Sequence, residues 1–315
     1  MNATLEATPL HHNRSPFALD DEAAYQAWRA DKLARRARGA DDLIVEVGDP
    51  LALSSGERET LLQRCAACNM AVYRSARGVH DKDTPRAVGR QLGLVRLDAN
   101  WLADEDGISS ITVSQASDGR GGFIPYTDRP LKWHTDGYYH PREQRIRAML
   151  LHCALPAARG GVNALLDHEL VYIALRDASP RWLQALMAAD AMTIPAREDE
   201  AGIARPAQSG PVFSVDPHDG ALHMRYTART RSIAWKDDAA TLKAVAFLER
   251  LLADDNPDVI RLRLEAGMGI VANNVLHDRS AFVDDPSRPR LIYRARYLDR
   301  VAAPALQEKP AWRNG

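Results

Sequence analysis

The stretch LKWHTDGYYH, residues 131–140, carries the most information about how this chain folds and what it binds. It begins as a strand-like run, and His134 and Asp136 lie two residues apart within it. Side chains at i and i+2 of a strand project from the same face, so this imidazole and this carboxylate share a face while Thr135 points away. Two such groups can supply neighbouring ligands to one metal ion.

A third ligand has to come from a distant part of the chain, and the candidate is His277 in NNVLHDRSAF. Two histidines and one carboxylate on one face of an octahedron are typical of non-haem Fe(II) oxygenases. An HxD pair alone is weak evidence, because the chain has 10 histidines. His140 and His152 are therefore alternative ligands or structural histidines at this stage.

An arginine follows the last candidate ligand in the strand-like run RLIYRAR, which begins at Arg290. If this strand pairs beside the one that carries His277, the guanidinium can point at the metal cavity. A guanidinium binds a carboxylate through two parallel hydrogen bonds, so Arg290 predicts a bound dicarboxylic acid. Arg288, two residues earlier and on the same face of a strand, competes for this role.

The composition is that of a folded globular protein of 315 residues, with 45% hydrophobic and 26% charged residues. Its net charge of −1 argues against nucleic acid as a partner. An apolar run long enough to span a membrane is absent and the first residues lack a secretory core, which predicts a cytoplasmic protein without membrane association. Cys65 and Cys68 form a CxxC that we interpret as core packing, because no second pair supplies the remaining zinc ligands.

Helix-like segments concentrate early in the chain and short strand-like runs dominate later. This order predicts a mainly β protein with helical decoration (α+β), built as a sandwich or barrel. Because His134 and His277 must meet at one ion, the residues between them belong to one folded unit. The predicted organisation is a loose N-terminal arm at 1–19 and a single domain at 20–315, with helical insertions near 168–189 and 237–255.

Three motifs together resemble a known family: HTDG (134–137), GGVN (160–163), and His277 followed by RLIYRAR (290–296). They are similar to the taurine dioxygenase-like family of Fe(II)- and 2-oxoglutarate-dependent oxygenases, and the likeness extends from about residue 40 to 300. The resemblance implies a double-stranded β-helix, or jelly roll. It also implies that His134, Asp136 and His277 bind Fe(II), and that 2-oxoglutarate and O2 are co-substrates.

The resemblance implies further roles around the metal. Arg290 would bind the distal carboxylate of 2-oxoglutarate, with Asn163 near it where taurine dioxygenase has a threonine. Arg294 matches an arginine that contacts the acidic group of the substrate in relatives, and a solvated strand residue is the competing interpretation. Tyr138 is a candidate for the cavity wall, and loop 118–130, rich in glycine and proline, is a candidate lid. The arginines of MRYTARTRSIAW, at 225 and 229, fit a solvated face better than a substrate contact.

The expected reaction is hydroxylation of a small acidic or amino-acid-like substrate, with release of succinate and CO2. The partner would then be a small molecule, and relatives that form dimers and tetramers make a homo-oligomer the expectation. Two alternatives remain: a non-catalytic binding or regulatory protein on the same scaffold, and a different metal-dependent enzyme such as a hydrolase or a cupin dioxygenase. Neither alternative requires an arginine after the last ligand.

Overall fold

The structure is a computed structural model that describes residues 15–77, 81–98, 104–114, 120, 122–199, 202–229, 233–253 and 255–301. Its helices are α1 (Glu22–Arg35), α2 (Ser55–Cys68), α3 (Thr84–Gln91), α4 (His168–Ala178), α5 (Pro180–Leu186) and α6 (Ala239–Leu251). None of the helices in these ranges has the length and apolar character that crossing a membrane requires.

The strands of the first half of the chain are β1 (Ile44–Val47), β2 (Met70–Ser75), β3 (Ser109–Ile111), β4 (Leu131–His134), β5 (Ala148–Leu155), β6 (Arg159–Gly160) and β7 (Val162–Leu166). A middle group of short strands follows: β8 (Met192–Ile194), β9 (Arg197–Asp199), β10 (Gly202–Arg205), β11 (Gln208–Gly210), β12 (Phe213–Val215), β13 (Leu222–Met224) and β14 (Ala234–Trp235). The last are β15 (Ile260–Arg263), β16 (Met268–Ala272), β17 (Leu276–Arg279), β18 (Phe282–Val283) and β19 (Leu291–Tyr297).

Two sheets enclose the central core. The larger has the order β1-β2-β16-β5-β19-β3 and the smaller β15-β7-β17-β4. Both contribute side chains to one apolar cluster, for example Val72 and Ile270 from the larger sheet and Leu165 and Leu262 from the smaller. The predicted α+β class, mainly sheet with helical decoration, is confirmed.

Helices α2 and α3 cover the outer face of the larger sheet. Leu61 of α2 and Val88 of α3 pack with Tyr73 and Tyr297 of the sheet. Asn69 ends α2 in the left-handed conformation, with φ of 57°, so the chain turns directly into β2. The thiols at 65 and 68 are buried and unpaired, as the packing interpretation predicted.

Helices α4, α5 and α6 pack on the smaller sheet and fall within the predicted insertions. Residues 15–19 of the predicted arm are described, and there the Phe17 ring is buried against Trp28 and Tyr172, at centroid distances of 5.0 and 5.3 Å. Residues 1–14 lie outside the described part. The division into an arm and a single domain stays a prediction.

A buried ion cluster joins α1 to the start of α4. Lys32 is 2% exposed, and its Nζ lies 2.5 Å from Asp167 Oδ2 and 2.6 Å from Glu169 Oε2. Burial alone would raise the pKa of Glu169, but Lys32 lowers it from 4.5 to about 2. The cluster therefore stabilises the fold as long as Lys32 and its two carboxylate partners are charged.

Replacing Lys32 by methionine is expected to lower the free energy of unfolding by about 3–5 kcal/mol, because two carboxylates stay buried without their cation. In the unmodified protein, the contribution of Glu169 is complete above about pH 4.5 and is lost as the pH falls towards 2. Urea unfolding at several pH values measures both effects. Lys243→Met, at an exposed position of α6, is the matched control. Equal stability of the two variants would contradict the prediction.

Candidate metal centre

Strands β4 and β17 pair antiparallel, with His134 directly opposite His277. The two imidazole centroids are 4.2 Å apart. One donor atom from each of His134, Asp136 and His277 lies within 4.8 Å of the others, and all three residues are buried. The structure thus brings together the three residues that the sequence singled out as ligands.

The backbone around Asp136 is fixed by two residues in the left-handed region. Gly137 has φ of +67°, and a Cβ there would overlap Ile146, so only glycine fits. Asn274, with φ of 50°, accepts from the Asp136 amide at 2.7 Å and donates to the Asp136 carbonyl at 2.9 Å. Sequence analysis missed Asn274, although an asparagine pair before VLH is a typical signal of a left-handed turn.

Both histidines are oriented by their own strands. His134 Nδ1 donates to the Lys132 carbonyl at 2.9 Å, and His277 Nδ1 donates to the Val275 carbonyl at 3.0 Å. Each Nε2 therefore carries the lone pair that a metal needs. Burial, helped by the neighbouring His277, lowers the pKa of His134 to about 3, and burial also lowers the pKa of His277. Both rings are neutral at pH 7, the state that binds metal.

Asp136 has one oxygen near cations and one oxygen without a partner. Burial alone would raise its pKa, but the guanidiniums of Arg294 and Arg296 hold that pKa below its ordinary value. Their Nη1 atoms lie 3.4 and 4.0 Å from Asp136 Oδ1. Within the described residues, Oδ2 is buried without a hydrogen bond, which is costly unless a ligand completes it. Two imidazole nitrogens and this oxygen form a donor set that suits Fe(II).

Arg290 reaches the site from the facing sheet. Strand β19, which follows it, pairs with β5 and β3, so the condition that it pairs beside the strand of His277 is not met. The sheet that a strand joins depends on long-range contacts that a local pattern does not contain. Arg290 is nevertheless buried and lines a small cavity together with His134, His277 and Asn163.

The guanidinium of Arg290 forms no ion pair with a described carboxylate, and the ring of Phe282 lies 5.1 Å from it. Burial lowers the pKa of this arginine, which means that its charge is incompletely compensated by the protein. A buried cation beside the three donor atoms is suited to the carboxylate of a bound acid. Arg288, the competitor, is exposed in a turn and lines neither this cavity nor the larger one.

The two alternative histidines lie outside the three-residue cluster. His140 Nδ1 donates to the Gln144 carbonyl at 2.9 Å. His152 Nδ1 lies 2.8 Å from the hydroxyl of Tyr73, in the core on the other side of the sheet. Both histidines fit the structural interpretation.

A larger cavity of about 680 Å³ opens beside the metal centre. His134, Asp136, Tyr138 and Arg294 line it, as do residues 122–125 of the predicted lid. Of the two arginines expected on a solvated face, Arg229 is exposed at this cavity. Arg225 instead donates to the backbone carbonyls of strands β8 and β11.

Sequence analysis also missed two arginines near the centre. Arg296 is buried on the same face of β19 as Arg294, and the period of two along RLIYRAR was the available signal. Its Nη2 lies 2.5 Å from Asp98 Oδ2, and its Nη1 donates to the Tyr139 hydroxyl at 3.1 Å.

The second arginine is Arg279, which lies two residues after His277 on β17. It donates to three carbonyls of the loop over the cavity, at Pro125, Thr127 and Arg129.

Replacing Arg279 by methionine is expected to lower the free energy of unfolding by about 1–3 kcal/mol, because partly buried carbonyls lose their donor. Residues 122–130 are expected to exchange amide hydrogens faster than in the unmodified protein, since this side chain connects them to β17, the strand that carries His277. Urea unfolding and hydrogen exchange measure the two effects. Arg159→Met, at an exposed arginine of β6, is the control. Unchanged exchange at 122–130 would contradict the role.

Comparisons with known proteins agree with this geometry. A curated relative, the uridine-5'-phosphate dioxygenase of Streptomyces sp, is 32% identical over 211 residues, which cover 64% of this chain and 73% of the relative. A solved asparagine oxygenase in complex with Fe(II), 2S,3S-3-hydroxyasparagine and succinate aligns with a TM-score of 0.56 at 15% identity, over 91% of this chain and 86% of its own. The non-haem iron oxygenase OrfP with Fe and alpha-ketoglutaric acid aligns with a TM-score of 0.57 at 16% identity, over 78% and 80%.

These structures share the jelly roll, so the predicted double-stranded β-helix is confirmed. The family model described as taurine catabolism dioxygenase TauD, TfdA family matches residues 32–296, which is most of the chain. The chain therefore belongs to the TauD/TfdA family and is a non-haem iron, 2-oxoglutarate-dependent dioxygenase.

Proposed function

We propose that this enzyme hydroxylates a small acidic substrate in the larger cavity, at an iron bound by His134, Asp136 and His277. One observation carries the proposal: three buried donor atoms converge beside a buried arginine that has no described acidic partner. Bound Fe(II) supplies the redox chemistry by which O2 oxidises a C–H bond to C–OH while 2-oxoglutarate leaves as succinate and CO2.

The protein residues would bind the metal, orient 2-oxoglutarate and the substrate, and neutralise their negative charges. The two histidines keep their Nε2 atoms free because their Nδ1 atoms are engaged with backbone carbonyls. Arg290 would bind the distal carboxylate of 2-oxoglutarate through two parallel hydrogen bonds, and Asn163 lies in the same small cavity. Arg294 would bind the acidic group of the substrate, since it lines the cavity and its Nη1 lies 3.4 Å from Asp136 Oδ1. Tyr138 would form part of the wall.

The relatives support an acidic substrate without selecting one. The curated relative is named for a nucleotide, and the structures hold hydroxylated amino acids. All of these molecules carry an anionic group, which matches the arginines of the cavity. Hydroxylation is the proposed outcome because the carboxylate ligand Asp136 is present.

Anaerobic titration of the protein with Fe(II) and 2-oxoglutarate tests the proposal, by the weak visible charge-transfer band of the chelate. We expect the band to form, and succinate to be released with a member of a panel of nucleotides, sulfonates and amino acids. Absence of the band would support the non-catalytic alternative. Substrate turnover without consumption of 2-oxoglutarate would support a hydrolase or a cupin dioxygenase.

A further inference from the structure

The larger cavity is strongly cationic. Among its described lining residues, six are lysine or arginine and one is acidic: Lys132, Arg197, Arg205, Arg229, Arg294 and Arg296 against Asp136. Asp136 belongs to the candidate metal centre. The described lining therefore offers no other carboxylate to the cationic part of a substrate.

Five of these six cations, all except Arg197, form an inner and an outer group. Arg294 and Arg296 are the inner group, because both are buried and face Asp136. The outer group consists of Lys132 and Arg229, which are exposed, and Arg205, which is half-buried. None of the outer three forms an ion pair with a described carboxylate.

Among the three outer cations, Arg205 is the one whose side chain is held at the cavity by hydrogen bonds to the backbone. It donates to the carbonyls of Pro195 at 2.6 Å and Pro206 at 3.3 Å, which hold its side chain without neutralising it. Its guanidinium lies 5.9 Å from the ring centroid of Tyr139. Burial lowers the pKa of Arg205, which shows that removal from water is not balanced by an anion of the protein.

Three cations without a described acidic partner, Lys132, Arg205 and Arg229, favour an anion with more than one charge. A phosphate monoester carries about −1.5 to −2 at pH 7 and presents oxygens that suit arginine. An α-amino acid brings an ammonium group, and burying that group without a carboxylate is costly. A volume of about 680 Å³ is also large enough for a substrate that spans from the metal to the outer cations.

We infer that the substrate is a phosphate monoester, with its phosphate bound at the outer cations Arg205, Arg229 and Lys132. Arg294 would then contact the part of the substrate that lies next to the metal, and the outer cations would take over the acidic group. The carbon to be hydroxylated then lies at the inner, metal end of the cavity. Tyr138 and Tyr139, whose rings are 5.2 Å apart, form an aromatic wall between the two ends. This inference rests on the proposed function, which makes the inner end the place of oxidation.

Calorimetric titration of the enzyme loaded with Mn(II) and 2-oxoglutarate, without oxygen, tests the assignment. The probes are uridine 5′-monophosphate and ribose 5-phosphate, their dephosphorylated counterparts uridine and ribose, and L-arginine. We expect at least one phosphate probe to bind about tenfold or more tightly than its counterpart, because charge-assisted hydrogen bonds are lost without the phosphate. Arg205→Gln is expected to remove this preference, and Arg229→Gln to weaken it.

Arg64→Gln, at an exposed position of α2 outside the cavity, is the control and keeps the preference. Equal affinity of both phosphate probes and their counterparts would overturn the inference, as would tighter binding of L-arginine than of either phosphate. A preference that survives in both the Arg205 and the Arg229 variant would also overturn it.

The two proposals fail differently. If the chelate band forms but succinate is released only with amino acids, the oxygenase function stands and the phosphate assignment falls. If phosphate is preferred but no chelate of Fe(II) and 2-oxoglutarate forms, the anion subsite stands and the proposed function falls.

Discussion

Replacing Asp136 by alanine is expected to abolish the visible band of the Fe(II)–2-oxoglutarate chelate and all succinate release. The carboxylate is the one acidic donor of the cluster, and its Oδ2 has no described protein partner. Loss of a residue that only orients a metal ligand costs roughly 10–100-fold in metal affinity, so loss of a ligand is expected to cost at least as much. Isothermal titration with Co(II) measures this loss without dependence on turnover.

His140→Gln is the matched control for this prediction, because His140 is near Asp136 in sequence and lines the same cavity but donates to a backbone carbonyl. Its Co(II) affinity is expected to equal that of the unmodified protein. Circular dichroism shows whether each variant is folded. An undiminished Co(II) affinity in a folded Asp136→Ala variant would remove Asp136 from the ligand set.

Replacing Arg290 by alanine is expected to weaken 2-oxoglutarate binding by about 2–5 kcal/mol, as loss of a buried charged partner does. That is roughly a 30- to 4,000-fold rise in Kd. The reason is the position of the guanidinium, which is buried beside the metal cluster without a described carboxylate to bind it. Anaerobic titration of the chelate band with 2-oxoglutarate gives Kd directly.

Two further variants, Arg290→Lys and Arg288→Ala, show whether 2-oxoglutarate binding depends on the charge of the side chain, on the geometry of its guanidinium or on its position in the chain. The lysine keeps the charge but loses the planar fork, so an intermediate Kd is expected. Arg288 is exposed in its turn, and its removal is expected to leave Kd unchanged. Near-normal affinity in Arg290→Ala together with a weakened Arg288→Ala would transfer the role to Arg288.

Local patterns were sufficient for the parts of the site that depend on strand geometry. The period of two places Arg294 and Arg296 along one face of the last strand. The predicted pair His134 and Asp136 does meet at the site, although β4 ends at His134 and Asp136 lies in the turn that follows it. Side-chain alternation is a property of the backbone, so it can be predicted before the fold is known. The family resemblance then supplied the jelly roll and the assignment of His277 as the third iron ligand.

The same patterns were insufficient wherever two distant segments meet. The sequence did not show that Arg290 reaches the centre from the facing sheet, because strand partners are selected by packing across the core. It also did not show that Asn274 clamps the backbone of Asp136 or that Arg279 holds the loop at 125–129. These contacts depend on side-chain directions and turns that only the folded chain defines.

The sequence by itself determined the candidate metal ligands and a downstream arginine, and the resemblance of these motifs to a known family indicated one kind of metal site. Only the tertiary structure decided how that site is surrounded. A composition with net charge −1 gives no sign of a cavity with six described cations and one acid. Net charge averages over the whole chain, whereas folding places like charges from four separate segments around one space.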